Sequence, residues 1–150
     1  MTPVPAQCPL SNISQIAFVV KDLDASVRQY SSLWGLDGWE IWVADYSTMP
    51  GVTFRGEPAD CSVRVAITKK FGPFELELVQ PLHGASPHQE FFDQHGQGLH
   101  HLAAVIDDFD TTHADLVRRG FRVSLTGPIP GKDRDGRFAF FESDSALTTT

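Results

Sequence analysis

The sequence predicts an α+β protein made of two tandem βαβββ modules. A β-branched, apolar run near the start leads straight into an amphipathic helix. The same run returns in the second half of the chain at a fixed offset. Further strand-like runs follow the first helix, divided by Gly and Pro punctuation.

Taken in order, a Pro-rich lead-in over residues 1–12 precedes Ile13-Ser14-Gln15-Ile16-Ala17-Phe18-Val19-Val20, a run suited to a buried strand. Lys21-Asp22-Leu23-Asp24 offers a turn and an N-cap. Ala25 to Trp34 then sets Val27, Tyr30, Leu33 and Trp34 at helical spacing before Gly35 stops the helix. Trp39 to Ala44, Ser62 to Thr68 and Phe74 to Gln80 read as the second, third and fourth strands, with Gly72-Pro73 as the turn between the last two. Residues 13–82 thus form the first module. Within the linker, residues 83–97, Ser86 to Gln94 reads as a short helix with Pro at its first turn.

The second module, residues 98–150, copies the first. Gln15 to Asp24 lies over His101 to Asp110 without a gap at an offset of 86 residues, and four of the ten positions are identical: Ala17 and Ala103, Val19 and Val105, Asp22 and Asp108, Asp24 and Asp110. Leu116 and Val117 supply the apolar side of a second helix that Gly120 ends. Arg137 to Glu142 reads as the third strand and Leu147 to Thr150 as the start of the fourth, so the sequence reads as stopping inside that strand. Trp39, Trp42, Phe138 and Phe140 are expected in the core, because aromatic strand residues usually pack.

Charge and composition narrow the function classes. Hydrophobic residues at 41% and charged ones at 21% suit a globular domain. The longest apolar run, Ile16 to Val20, is far short of the ~20 residues of a membrane span. Twelve Lys and Arg against nineteen Asp and Glu give a net charge of −7, which repels a polyanion and argues against a nucleic-acid partner. Met1 to Leu10 lacks the basic residues and apolar core of a leader, so a cytoplasmic location is expected. Cys8 and Cys61 are too few and too far apart for a disulfide framework and read as reduced thiols.

The duplicated arrangement, with Ala17 to Asp24, Glu77-Leu78-Val79-Gln80-Pro81-Leu82 and Gly98-Leu99-His100-His101-Leu102-Ala103, resembles the vicinal oxygen chelate superfamily, and within it methylmalonyl-CoA epimerases and glyoxalases. The resemblance implies that each module curls into a half-barrel around a cleft holding one divalent metal ion. It implies as ligands Gln15 and His101 from the two first strands and Glu77 from the fourth strand of module one. A fourth ligand is expected at or just beyond Thr150, with Glu142 as the fallback. The set Gln, Glu and His matches the eukaryotic-type glyoxalase pattern at those positions, whereas epimerases usually carry His first and Gln second. Mixed N and O ligation leaves Zn, Ni, Co, Mn and Fe open.

Such an ion acts as a Lewis acid that stabilises an enolate or enediolate, while a carboxylate such as Glu77 moves a proton at the adjacent carbon. The expected activity is therefore that of an isomerase, epimerase or lyase on a small oxo-acid, thiohemiacetal or acyl thioester. An anionic substrate and a homodimer are expected partners. Glu75 and Glu77 share one strand face, with Glu75 at the rim. Strand alternation places His100 opposite to His101, in a structural or substrate-edge role. Arg64 falls where the epimerases carry a catalytic glutamate; it reads as a clamp for a substrate carboxylate or phosphate, or as a surface residue. The loop from Thr126 to Gly136 carries Lys132 and Arg134 and reads as a lid over an anionic tail or as a plain connection. Two alternatives stay open. One is an iron-dependent ring-cleaving dioxygenase, which wants two His and one carboxylate and meets Gln15 instead. The other is a metal-free small-ligand binding or resistance module of the same fold.

Overall fold

The computed structural model describes residues 12–129 and 136–142. Its strands are β1 (Ile13–Val19), β2 (Glu40–Asp45), β3 (Thr53–Phe54), β4 (Glu57–Pro58), β5 (Ser62–Phe71), β6 (Phe74–His83), β7 (Gly98–Ala104), β8 (Arg122–Pro128) and β9 (Arg137–Glu142). The helices are α1 (Leu23–Trp34), α2 (Pro87–His95) and α3 (Phe109–Arg118). The strands form one five-stranded sheet, β2-β5-β6-β1-β7, and one four-stranded sheet, β4-β3-β8-β9. This is the α+β architecture that the sequence predicts.

The repeated aspartates turn out to be the two helix caps. Asp22 Oδ1 accepts from the Ala25 amide at 2.9 Å, and Asp108 Oδ1 accepts from the Thr111 amide at 3.0 Å. Each satisfies an amide that a helix start leaves without an intrahelical partner. A further such amide on α1, that of Leu23, donates to Gln80 Oε1 at 2.8 Å, which ties the helix start to β6. At its other end Gly35 takes a left-handed φ of 66°, which a glycine adopts without a Cβ clash. α1 lays Leu23 against Leu76, Leu78 and Ala66, all completely buried, and this cluster seals one face of the first sheet.

Because α1 crosses over between them, β1 and β6 run parallel, with Gln15 beside Glu75 and Ala17 beside Glu77. On the face away from α1, Val63, Val65 and Val79 pack with Ala44, Tyr46 and Met49. Tyr46 and Met49 also pack against Val52, Ala59, Cys61 and Leu125, so they join the two sheets into one interior. Cys61 is wholly buried and has no disulfide partner among the described residues. Trp39, Phe138 and Phe140 pack against these clusters as expected, whereas Trp42 lies on edge strand β2 and is 42% exposed.

A hairpin that the sequence reading passed over joins the halves. Arg55 and Gly56 carry φ values of 50° and 83°, the consecutive positive angles of a two-residue hairpin turn between β3 and β4. The turn was hidden because Arg-Gly lacks the Asn or Asp that usually announces it. β3 pairs with β8, Thr53 beside Thr126 and Phe54 beside Leu125, so the first half of the chain supplies two strands to the second sheet.

Lys132, Arg134 and the segment Leu147 to Thr150, expected to begin a strand, lie outside the described residues, as do the lead-in residues before Asn12. Among the described residues no helix is long and apolar enough to cross a membrane.

Gly84 follows β6 at a φ of 76°, where an added Cβ would collide with the Asp60 carbonyl. Gly84→Ala should therefore cost about 3 kcal/mol, from the left-handed backbone and the clash together. Gly35→Ala, with open space around its Cβ, should cost about 1 kcal/mol. Urea unfolding of the two variants checks the difference; equal losses would contradict the close approach at Gly84.

Candidate functional site

The antiparallel pairing of β1 with β7 brings the repeated positions together. Gln15 lies beside Ala103 and Ala17 beside His101, so the register obeys the internal repeat and sets Gln15 and His101 diagonally across its axis. From the other flank of β1, the parallel β6 carries Glu75 and Glu77 onto the same side. Three strands thus deliver side chains to one point.

There, His101 Nε2 lies 3.2 Å from Glu77 Oε2 and 3.3 Å from Gln15 Oε1. The Gln15 amide nitrogen donates to Glu75 Oε1 at 3.1 Å, and that bond turns its oxygen toward His101. His101 is 4% exposed, and the Glu77 side chain is 15% exposed. Spacings near 3.2 Å between donor atoms are those around an ion with bonds of about 2.1 Å, and one imidazole, one carboxylate and one amide oxygen form a mixed set that suits a divalent ion. The residues Gln15, Glu77 and His101 therefore fit such an ion.

His100 departs from the alternation expected of a strand. Ala17 pairs with His101 and the next residue, Phe18, pairs with Leu99, so His100 is the extra residue of a β-bulge. Both histidines are consequently buried on the same side, and their Nδ1 atoms lie 2.8 Å apart. His100 Nε2 sits 3.3 Å from the Pro87 carbonyl oxygen in the first turn of α2.

The sequence reading also missed His88. Ser86 caps α2 by accepting from the Gln89 amide at 3.0 Å, and this start turns His88 inward. Its ring packs 4.7 Å from that of His100 and 5.4 Å from that of Phe140, centroid to centroid, and its buried Nδ1 has no hydrogen-bond partner among the described residues. Ring nitrogens of His88, His100 and His101 lie within 4.8 Å of one another, a second grouping able to approach a metal ion. A histidine one step into a predicted linker helix gave no periodic signal of burial.

Other expected site residues lie elsewhere. Arg64 stands on the α1 face of β5, where its guanidinium binds both Asp24 oxygens at 2.8 and 3.0 Å; it shares that face with Ala66, away from Glu77. The carboxylate of Glu142 contacts Arg55 at 3.2 Å and Arg122 at 3.9 Å, and Arg55 also grips Glu90 of α2. Neither Arg64 nor Glu142 joins the group around His101, because each is committed to an ion pair of its own.

Burial sets the charge of this region. Burial, helped by the charge of His101, pushes His100 down to about 3, and burial holds His88 well below the usual imidazole range. Burial, and then the Glu77 carboxylate, keep the Tyr46 hydroxyl above its ordinary range and so protonated. For His88 and His100 the folded pKa lies below the unfolded value of about 6.5. The unfolded chain takes up protons that the folded chain refuses, so this stability is complete above about pH 6.5 and is lost as pH falls toward the folded value. Between pH 6 and 4 each should contribute up to ~1.4 kcal/mol of loss per pH unit. Urea unfolding across that range, repeated on His88→Phe, should show a shallower slope in the variant; an identical slope would mean that His88 takes up its proton while folded.

The sequence profile of the glyoxalase/bleomycin resistance protein/dioxygenase superfamily matches residues 14–140. In fold the chain is similar to methylmalonyl-CoA epimerase from Mycobacterium tuberculosis, at 19% identity over 93% of this chain and 83% of that one, with a TM-score of 0.66. It is also similar to a variant Streptomyces coelicolor methylmalonyl-CoA epimerase in complex with 2-nitronate-propionyl-CoA, at 25% identity over 89% and 88% of the two chains, with a TM-score of 0.61. A methylmalonyl-CoA epimerase in complex with methylmalonyl-CoA and NH4+ matches at 25% identity over 89% and 85%, with a TM-score of 0.61. No curated protein sequence matches the chain. The profile match runs from Ser14 on β1 to Phe140 on β9, across the strand pairing that relates the repeated halves, and on that ground the chain belongs to the glyoxalase/bleomycin resistance protein/dioxygenase superfamily.

Proposed function

We propose that the protein is a metal-dependent isomerase, epimerase or lyase that moves a proton at the carbon next to a carbonyl. The observation that carries this reading is that Glu77 Oε2 and Gln15 Oε1 lie 3.2 and 3.3 Å from His101 Nε2. Gln15, Glu77 and His101 would hold one divalent ion. When bound, that ion supplies Lewis-acid polarisation of the substrate carbonyl, which lowers the cost of removing the neighbouring proton. Zn, Ni, Co, Mn and Fe are all compatible with the donor types.

The chain's own groups do the rest. Glu77 takes and returns the proton, since among the described residues it is the carboxylate in contact with His101. Glu75 holds the Gln15 amide in place, and Tyr46, kept neutral, adds no charge to the site. The substrate class in this reading is a small acyl thioester, 2-oxo acid or thiohemiacetal. The first is favoured by the resemblance to solved epimerases bound to acyl-CoA compounds. Lys132 and Arg134 are the basic residues assigned to an anionic end of that substrate. Arg64 is left out of the binding site because Asp24 occupies it.

Elemental analysis of the purified protein should find about one divalent ion per chain, and Glu77→Ala should weaken retention by about 10- to 100-fold. Arg64→Ala should leave the metal content unchanged. Solvent deuterium should enter the position next to the carbonyl of an acyl thioester with the wild type and not with Glu77→Ala. No ion in the wild type would overturn the reading and favour a metal-free binding module. The reading includes a homodimer, for which Ile41, Trp42 and Val43 stand exposed on edge strand β2. Size-exclusion chromatography should then give twice the chain mass; elution at 16.6 kDa would count against it.

A further inference from the structure

We propose that Tyr46 is a substrate-binding residue that sets specificity: its hydroxyl donates a hydrogen bond to an oxygen at the far end of an acyl group whose carbonyl lies at Gln15, Glu77 and His101. This inference rests on the reading above and deepens it, by naming the substrate class as acyl thioesters that carry a second, distal oxygen.

Tyr46 opens the short 3₁₀ turn Tyr46–Thr48 after β2, and its amide donates to the Cys61 carbonyl at 2.9 Å, which fixes its backbone beside β5. Its ring packs on the cluster of Ala44, Val63, Val65 and Val79. Side chains alternate along β6, so Val79 lies on the face that carries Glu77, and the pairing of Val65 with Val79 and of Ile67 with Glu77 extends that face onto β5. Phe138 and Phe140 of β9 stand opposite. The Phe138 ring lies 6.2 Å from Tyr46 and 6.1 Å from Phe140, and Phe140 lies 4.8 Å from His101, centroid to centroid. Tyr46 and the group around His101 are therefore the polar ends of an apolar strip, with Val65, Ile67 and Val79 along one side and the two phenylalanines along the other.

A phenol packed among apolar side chains ordinarily satisfies its O–H within the protein. The Tyr46 hydroxyl makes no hydrogen bond with any described residue. Nor is it sealed away, because among the described residues His88 Nδ1 is the only sealed polar side-chain atom without a partner. The hydroxyl is thus a donor open to an incoming group. It remains protonated at neutral pH, since burial and then the Glu77 carboxylate hold its pKa above the usual phenol range. Such a donor discriminates between ligands: one that lacks the matching oxygen leaves the O–H unpaired when it displaces water from the strip. Nothing in the fold uses the hydroxyl, so its place beside the strip is explained by what it offers a ligand.

Calorimetric titration of the full chain, with Zn2+ and after washing with chelator, compares pantetheine thioesters in pairs of equal length: 4-oxopentanoyl with pentanoyl, 5-oxohexanoyl with hexanoyl, and 6-oxoheptanoyl with heptanoyl. The wild type should bind at least one oxo compound about 10-fold more tightly than its plain partner. Tyr46→Phe removes only the hydroxyl; it should bring that pair level and keep the urea midpoint of the wild type. Equal binding within every pair, or a preference that survives in Tyr46→Phe, would overturn the proposal. Binding of no thioester at all would overturn it together with the acyl-thioester class. A Tyr46-dependent preference in a wild type that retains no metal would refute the metal reading and uphold the role of Tyr46. A second measurement needs no change at Tyr46. The chain has two tyrosines, so carbon-13 at Cζ gives two signals, which Tyr30→Phe assigns. The preferred oxo compound should move the Tyr46 signal further than its plain partner does, and equal movement with both would contradict the hydrogen bond.

Discussion

The antiparallel register of β1 against β7 is the constraint on which most of the molecule depends. With Ala17 beside His101 and Gln15 beside Ala103, the repeated segments become neighbours related by a local two-fold. β1 is flanked on its other side by β6, so a single central strand has one neighbour from each half of the chain. A slip of one residue would carry Gln15 to the α1 side and bury its amide against leucines. The hydrophobic pattern therefore guards the polar site: the completely buried Ala17 and Val19 of β1, with Leu76 and Leu78 of β6, allow one register, and that register brings Gln15, Glu77 and His101 together.

Much of this was legible in the chain because it rests on local signals. The helix cap at Asp22, the stop at Gly35 and the turn at Gly72-Pro73 each depend on a few adjacent residues, and the structure places them where the sequence suggests. Gln15, Glu77 and His101 were singled out by the resemblance to the superfamily, with the repeat pairing Gln15 and His101 and strand alternation setting Glu77 beside Glu75. What escaped was non-local. A β-bulge is a mismatch between two strands, so no inspection of β7 alone separates His100 from a residue on the opposite face. His88 is buried by what stands above it, and the Arg55-Gly56 turn takes an unusual residue at positive φ. Arg64 was read from the resemblance to the epimerases as an anion clamp or a surface residue, and its partner Asp24 lies on a helix 40 residues earlier.

Burying three imidazoles together has an energetic cost that the rest of the core must offset. The orphaned His88 Nδ1 alone forfeits about 1–3 kcal/mol of solvation. Against it stand the aromatic edges of Phe91 and Phe140, and the aliphatic clusters on both faces of the first sheet. Polar groups held this way are stiff, since movement would break hydrogen bonds that water cannot replace. Stiffness is useful where a donor atom must wait in position before its ligand arrives.

The β3–β4 hairpin gives the repeated architecture another meaning. In sequence the halves look interchangeable, but β8 takes a neighbour from a hairpin of the first half that has no counterpart among the described residues of the second. Expressed separately, the second half would present β8 as a bare edge with Leu125 uncovered, an invitation to intermolecular strand addition. Symmetry in the backbone has thus been traded for mutual obligation: the copies can no longer be shuffled, swapped or tethered in reverse order without exposing an aggregation-prone margin.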